Sequence, residues 1–111
     1  MKKKYMAAFL IPIGVDKVLG EDGWEFESSQ RLSKDIAEYL IAALKFDFVE
    51  MYSGIKKYVS DDIGMSIFFD DDNEVENVYF QVSEDSLKAL AEVCQGPEVS
   101  SEAELFVPQQ G

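Results

Sequence analysis

The strongest constraint on the fold is a pair of strand-forming runs on either side of an acidic turn. Residues 65–70 read Met-Ser-Ile-Phe-Phe-Asp and residues 77–82 read Asn-Val-Tyr-Phe-Gln-Val, whereas residues 71–76 are rich in Asp, Asn and Glu. Two β-rich runs joined by such a turn predict a β-hairpin. An isolated hairpin is only marginally stable in water, so its apolar face must pack against other elements.

One amphipathic helix is predicted before this hairpin. Ser28 or Ser29 can cap it, and its apolar positions have the spacing of a single helix face: Leu32, Ile36, Tyr39, Leu40 and Ala43.

A second helix is predicted directly after the hairpin. Ser83 caps it, and Glu84 and Asp85 in its first turn favour the positive end of the helix dipole. Its core-facing positions are Leu87, Leu90, Ala91 and Cys94, and Gly96-Pro97 ends it.

Further strands are predicted near both ends of the chain. The apolar run Tyr5 to Ile13 is typical of a central strand buried on both faces. Lys2-Lys3-Lys4 before it also resembles the start of a secretory signal, but Asp16 and Lys17 interrupt the approach to a cleavage site. We therefore interpret the run as a strand. Residues 24–27 predict either a short strand or an extended approach to the first helix, and Glu102 to Val107 can supply a last short strand.

The order strand, helix, hairpin, helix, strand predicts an α+β fold. We expect one domain over residues 1–111, a sandwich of a mainly antiparallel sheet with two helices on one face. This is the ferredoxin-like order β-α-β-β-α-β. Residues 46–59 leave two alternatives open: extra strands that would extend the sheet, or a first helix prolonged by Val49 to Tyr52.

Composition excludes several classes of function. The chain has 22 Asp and Glu against 10 Lys and Arg, a net charge of −12, with no His and one Cys. The shortage of cations argues against nucleic acid and anionic membranes as partners. The absence of His removes the commonest general base and the commonest zinc ligand, so we expect no enzyme, cofactor or metal.

The negative charge is concentrated in the second half of the chain. Residues 1–57 are neutral, whereas residues 58–111 hold thirteen acids and one lysine. Nine of these acids fall in one stretch without a cation: Asp61, Asp62, Asp70, Asp71, Asp72, Glu74, Glu76, Glu84 and Asp85. Such a run is either a binding surface or simply a solvated face.

The acidic turn does not have the pattern of a calcium loop. An EF-hand that begins at Asp70 requires Gly at its sixth position and Glu at its twelfth, and the chain has Val75 and Gln81 there. Catalysis by paired carboxylates requires one desolvated acid across a cleft, whereas these acids lie at turns and element ends.

Aromatic residues on the hairpin indicate a different site. If Ile67, Phe69, Val78, Phe80 and Val82 face the helices, alternation turns Phe68 and Tyr79 to the opposite, open face of the sheet. Aromatic rings beside carboxylates suit the Lys or Arg side chains of a basic protein. Alternatively, the two rings pack beneath a loop, a terminal strand or a second copy. Trp24 is a further candidate interface anchor, although a lone tryptophan beside a glycine turn more often closes one end of the core.

The sequence therefore favours a small acidic, non-enzymatic inhibitor that binds and masks a basic protein partner. Immunity proteins that neutralise toxins and nucleic-acid mimics that block nucleases act in this way, and we expect a cytoplasmic bacterial protein of that kind. The alternative is a structural or regulatory subunit that forms a homodimer through the Phe68/Tyr79 face, with its acidity serving solubility alone.

Overall fold

The computed structural model describes residues 4–21, 23–27 and 30–108, and in it the chain forms both β-strands and α-helices. The described residues contain eight strands and three helices: β1 (Tyr5–Pro12), β2 (Asp16–Gly20), β3 (Gly23–Glu27), α1 (Lys34–Ala43), β4 (Asp47–Tyr52), β5 (Ile55–Ser60), β6 (Ile63–Phe69), β7 (Val75–Ser83), α2 (Glu84–Cys94), α3 (Pro97–Ser100) and β8 (Ala103–Phe106). The predicted α+β class is confirmed.

Six strands form one antiparallel sheet in the order β4-β5-β6-β7-β1-β8. The predicted hairpin is confirmed as β6 and β7, in which Ser66 lies opposite Tyr79 and Ile67 opposite Val78. Of the two alternatives for residues 46–59, the structure has the extra strands, β4 and β5, which extend this sheet. β2 and β3 form a separate two-stranded sheet. The element order thus departs from a plain β-α-β-β-α-β chain by the hairpins β2–β3 and β4–β5.

The main core lies on one face of the sheet. Ala8 and Leu10 of β1 pair with Phe80 and Val78 of β7, so strand alternation turns all four to the same side. They belong to one buried cluster that also contains helix residues: Ile36, Ala37 and Leu40 of α1, Leu90 and Cys94 of α2, and Val99 of α3. Of the five predicted core positions on the hairpin, Ile67, Val78, Phe80 and Val82 are buried, and Phe69 is half-buried against the cluster.

The opposite face of the sheet carries a second, aromatic cluster. The Phe9 ring lies 5.0 Å from Phe26 of β3, 5.3 Å from Tyr79 of β7 and 6.4 Å from Phe106 of β8, measured between ring centroids. These contacts hold the β2–β3 hairpin against the sheet. Burial of β1 on both faces is found in its second half, at Leu10 to Pro12, whereas Tyr5 is exposed.

The predicted start of the first helix is wrong. Ser28 and Ser29 lie outside the described residues, and α1 begins at Lys34 after Ser33, whose side chain makes no capping hydrogen bond. The backbone N–H of Leu32 donates to the Val75 carbonyl at 2.9 Å, which holds Leu32 in an extended bridge instead of a helical turn. Ala43, predicted to face the core, is exposed at the end of the helix.

The second helix forms as predicted. α2 begins after Ser83, whose hydroxyl oxygen accepts a hydrogen bond from the Ser86 N–H at 3.2 Å. The helix ends before Gly96, and Pro97 begins the short α3. Cys94 is buried as predicted, and desolvation raises the pKa of its thiol to about 12, which keeps it protonated and unreactive.

We predict that Ser83→Ala lowers the free energy of unfolding by about 1 kcal/mol, the usual contribution of an N-cap side chain. Ser86→Ala is the matched control, because it keeps the backbone N–H that Ser83 caps. Urea unfolding followed by circular dichroism measures both. Equal losses in the two variants would contradict the assigned cap.

Candidate functional site

The nine clustered acids of the sequence form two groups in space. Ile63 of β6 lies opposite Val82 of β7, and Phe69 lies opposite Val75. One end of this hairpin therefore carries Asp61, Asp62, Glu84 and Asp85, and the other end carries Asp70, Asp71, Asp72, Glu74 and Glu76. Since a strand rises by about 3.3 Å per residue, the ends of β6 are roughly 20 Å apart. The chain thus has two acidic groups instead of one continuous surface.

Asp70 organises the acidic turn between β6 and β7. Its Oδ1 accepts hydrogen bonds from the backbone N–H groups of Asp72, at 2.8 Å, and Glu74, at 2.9 Å. Its Oδ2 accepts a hydrogen bond from the Arg31 Nε at 2.8 Å. The Arg31 guanidinium, and then the backbone N–H groups, lower the pKa of the Asp70 carboxyl below its usual value. Asp70 therefore shapes the turn, while Asp71, Asp72 and Glu74 are exposed around it.

Four of the predicted site residues line one cleft beside this turn. Trp24 of β3, Phe68 of β6, and Glu76 and Tyr79 of β7 border a space of about 480 Å³. The lining is completed by residues from β1, β3 and β7: Phe9, Glu25, Phe26 and Asn77. This aromatic cleft lies between the β2–β3 hairpin and the sheet face opposite the main core. Its volume is within the range of about 300–1,000 Å³ that is usual for ligand pockets.

Of the two alternatives for Phe68 and Tyr79, the structure supports packing beneath another part of the chain and not a fully open face. Tyr79 packs beside Phe9, and the β2–β3 hairpin lies over this part of the sheet. Both side chains are half-buried. The cause is the aromatic pattern of β3, whose Phe26 reaches the Phe9 ring and folds the hairpin back over the sheet.

Trp24 both anchors the hairpin and borders the cleft. Its ring meets Phe106 of β8 edge to face, with 4.9 Å between centroids and 79° between planes. The indole is half-buried, so part of it remains accessible from the cleft. Edge-to-face pairs of this kind add about 0.5–1.5 kcal/mol beyond the burial of their surface.

The cleft combines ring faces with exposed carboxylates. Glu25 and Glu76 are both exposed, and no Lys or Arg is among the described residues of the lining. The π face of an aromatic ring attracts cations, and a carboxylate forms charge-assisted hydrogen bonds with ammonium or guanidinium groups. Both kinds of group in the cleft are therefore ones that bind a cationic side chain.

The same aromatic cluster binds one of the chain's own lysines in this manner. Lys17 of β2 places its Nζ 2.7 Å from the Glu104 Oε1 and 5.6 Å from the Phe106 ring centroid. A carboxylate and a ring thus share one ammonium group on the β8 side of the cluster. On the β7 side, the cleft offers rings and carboxylates in a similar combination.

Sequence reasoning missed four residues of the cleft: Phe9, Glu25, Phe26 and Asn77. The alternation of apolar and acidic residues over 24–27 was the available signal, since it predicts a strand with aromatic side chains on one face. What it did not indicate is where that strand packs. That position follows from the contact between Phe26 and Phe9, which lie on different strands and are far apart in the sequence.

Comparison of the chain with protein-family models, curated protein sequences and solved structures gives no match. In the part of the chain that the structure describes, no three His, Cys, Asp or Glu side chains lie together as a metal site. No helix among the described residues is both long and apolar enough to cross a membrane.

We predict that Asp70→Asn lowers the free energy of unfolding at neutral pH, because the charged contact with Arg31 is lost. A lowered carboxyl pKa contributes stability that is fully present above the unfolded value of about 3.9 and is lost as the pH falls through the folded value. The stabilities of wild type and variant should therefore converge in acid.

Urea unfolding at a series of pH values measures this convergence. Asp71→Asn, an exposed acid of the same turn, is the matched control and should follow the wild type. A constant difference between wild type and Asp70→Asn down to strong acid would show that the ion pair with Arg31 is not its source.

Proposed function

We propose that this chain is a non-enzymatic inhibitor that masks a basic protein partner, with one cationic side chain of the partner bound in the aromatic cleft. The observation that carries the proposal is the meeting of Trp24, Phe68, Glu76 and Tyr79 in that cleft. The exposed acids Asp71, Asp72 and Glu74 of the adjoining turn lie at the same end of the hairpin.

The proposed partner is a protein that itself acts on nucleic acid. Such proteins present cationic grooves to phosphates, and a compact acidic surface can occupy the same groove. A net charge of −12 also accelerates encounter with a basic protein. A toxin or nuclease-like enzyme, neutralised in the bacterial cytoplasm by an immunity protein or a nucleic-acid mimic, fits these properties.

The energies favour a single anchoring contact over a diffuse acidic surface. Exposed carboxylates in water attract a cation weakly, by about 1 kcal/mol at 4 Å, and salt screens them. A cation on an aromatic face contributes about 0.5–1 kcal/mol at an exposed site and about 2 kcal/mol when desolvated, and the half-buried rings of the cleft lie between these cases. We therefore expect the cleft to supply most of the affinity and the acidic turn to supply the rate of association.

The alternative function, a subunit that forms a homodimer through the Phe68/Tyr79 face, has less support. Tyr79 already packs against Phe9, and the β2–β3 hairpin occupies part of the face that a second copy would need. The remaining opening is a cleft, which suits an inserted side chain better than a flat dimer contact.

We also propose that part of the fold corresponds to a ferredoxin-like core. The antiparallel order β8-β1-β7-β6, together with α1 and α2, supports this assignment. The β2–β3 and β4–β5 hairpins are then additions to that core, and the first of them forms the outer wall of the cleft. Helices located on opposite faces in an experimental structure would contradict it.

We predict that the chain, used as bait in a native lysate, captures a protein of high isoelectric point. Salt weakens the attraction between complementary charges, since the Debye length falls from about 30 Å at 0.01 M to about 3 Å at 1 M. The captured protein should therefore elute as salt is raised. Mass spectrometry identifies it, and capture of acidic proteins alone would argue against the proposal.

We predict that Phe68→Ala weakens binding of the captured partner by about tenfold, which corresponds to about 1.4 kcal/mol. Glu76→Gln alters an exposed carboxylate and should weaken binding by about twofold to fivefold. Trp24, the one tryptophan, reports occupancy of the cleft by its fluorescence. Glu92→Gln, an exposed acid on α2, is the matched control for Glu76→Gln and should bind as the wild type does.

A second comparison distinguishes the effect of charge beside the cleft from the effect of the net charge of the molecule. Asp71→Lys/Asp72→Lys and Glu92→Lys/Glu98→Lys each change the net charge by four units, but only the first pair adjoins the cleft. We expect the first pair to slow association far more than the second. Equal effects would mean that overall charge, and not this end of the molecule, attracts the partner.

A further inference from the structure

Among the described residues, five aromatic side chains line the aromatic cleft, and they come from four strands. Phe9 belongs to β1, Trp24 and Phe26 to β3, Phe68 to β6 and Tyr79 to β7. All five side chains are half-buried. The two rings of β3 lie on the hairpin and the other three lie on the sheet, so a group that enters the cleft meets aromatic surface on both sides.

The ring of Phe68 is available to such a group. The rings of Phe26 and Tyr79 contact Phe9 at 5.0 and 5.3 Å between centroids, so these three rings already cover part of one another. Phe68 makes no ring contact within the part of the chain that the structure describes, although it borders the same space. Its π surface on the side of the cleft is therefore not covered by another ring.

A β-bulge in β7 brings a carboxylate to the opening of the cleft. Phe68 lies opposite Asn77, and the next residue of β6 lies opposite Val75, so Glu76 is an extra residue of β7. Strict alternation from the buried Val78 would turn Glu76 towards the main core. With the bulge, Glu76 is exposed and lines the cleft instead. Bulges are common next to active sites, where they redirect a side chain in this way.

We propose that the cation which binds best in this cleft is a methylated ammonium group, of the kind found in trimethyllysine and in choline. This inference rests on the proposed function, because it concerns the same site, and it adds the chemical form of the cation. A protonated lysine carries three N–H donors, and a donor that leaves water without finding an acceptor costs free energy. A quaternary ammonium has no N–H, so its methyl groups can contact several rings with no donor left unpaired.

The positions of the polar groups favour the methylated form. Glu25 and Glu76 are exposed and lie at the opening, whereas the rings are half-buried. The other polar side-chain groups of the described lining are the Asn77 amide and the Tyr79 hydroxyl, both on β7. An ammonium among the rings would find side-chain acceptors along one strand, and its remaining donors would face aromatic carbon.

The chain's own Lys17 shows how an ordinary ammonium distributes its contacts. Its Nζ lies 2.7 Å from the Glu104 Oε1 but 5.6 Å from the centroid of the Phe106 ring. The carboxylate thus takes the hydrogen bond, and the ring is a secondary contact. A cation without N–H donors has no such preference for the carboxylate, and the net charge of −12 still attracts it to the molecule.

Paired small cations test the proposal on the full chain, without the protein partner. The amides of Nα-acetyl-trimethyllysine and Nα-acetyl-lysine have the same charge and differ only in methylation, and Trp24 fluorescence reports their binding. We expect the trimethyllysine derivative to bind about tenfold more tightly.

Choline, in a second titration, distinguishes the two sources of the group. If choline binds as tightly as the trimethyllysine derivative, the cleft recognises the ammonium group alone and a free small molecule can fill it. If choline binds more weakly, the cleft also recognises the lysine methylenes and its ligand is a protein side chain. The neutral analogue of choline, with carbon in place of nitrogen, should bind about tenfold more weakly than choline.

A matched pair of variants locates the binding site. Phe68→Leu keeps an apolar side chain and removes the ring, so it should weaken binding of the trimethyllysine derivative by about fivefold. Phe48→Leu removes an exposed ring on β4, outside the cleft, and should bind as the wild type does. Circular dichroism establishes that both variants are folded.

Four results would overturn the proposal: no binding of the trimethyllysine derivative at millimolar concentration, equal affinity for the unmethylated derivative, equal affinity for choline and its neutral analogue, or no effect of Phe68→Leu. The proposed function fails separately. Selective binding of the methylated cation by a chain that captures no basic protein would contradict the masking function alone. Capture of a basic partner through an unmethylated lysine would contradict the present inference alone.

Discussion

The contact of Phe9 with Phe26 determines which surface this chain presents. β1 buries Ala8 and Leu10 on the main core and turns Phe9 to the opposite side, where Phe26 of the β2–β3 hairpin meets it at 5.0 Å. Together with the contacts of Trp24 with Phe106 and of Lys17 with Glu104, this contact holds the hairpin over the face of the sheet that carries Phe68 and Tyr79. With it, the hairpin becomes one wall of a cleft and the sheet becomes the other. The site therefore depends on packing between residues that are distant in sequence.

Much of the fold could be predicted because its signals are local. The β6–β7 hairpin follows from alternation around an acidic turn, and the start of α2 follows from Ser83 and the acids after it. The start of α1 was missed because Leu32 has helical spacing, although its N–H is bonded to Val75, more than forty residues further along the chain. A bridge of that kind is a tertiary interaction and leaves no periodic pattern.

Four of the eight described residues that line the candidate site were predictable from the sequence, but their arrangement was not. Trp24, Phe68, Glu76 and Tyr79 each have a chemistry that suits a basic partner, and the sequence indicates that chemistry. The sequence also places nine acids close together along the chain, whereas the length of β6 separates them into two groups. From the sequence alone, Asp70 cannot be distinguished from an ordinary surface charge. Its carboxylate oxygens nevertheless accept hydrogen bonds from Arg31 and from the backbone of the turn. Charge patterns thus locate acids along a sequence without distinguishing structural from accessible ones.

The central claim is that the aromatic cleft receives a cationic side chain from a basic protein. Nuclear Overhauser effects between the two proteins in the complex test it most directly. The account predicts contacts from the ring protons of Trp24, Phe68 and Tyr79 to the side-chain methylene protons of one lysine or arginine of the partner. Intermolecular contacts confined to the helices, with none from these three rings, would contradict it.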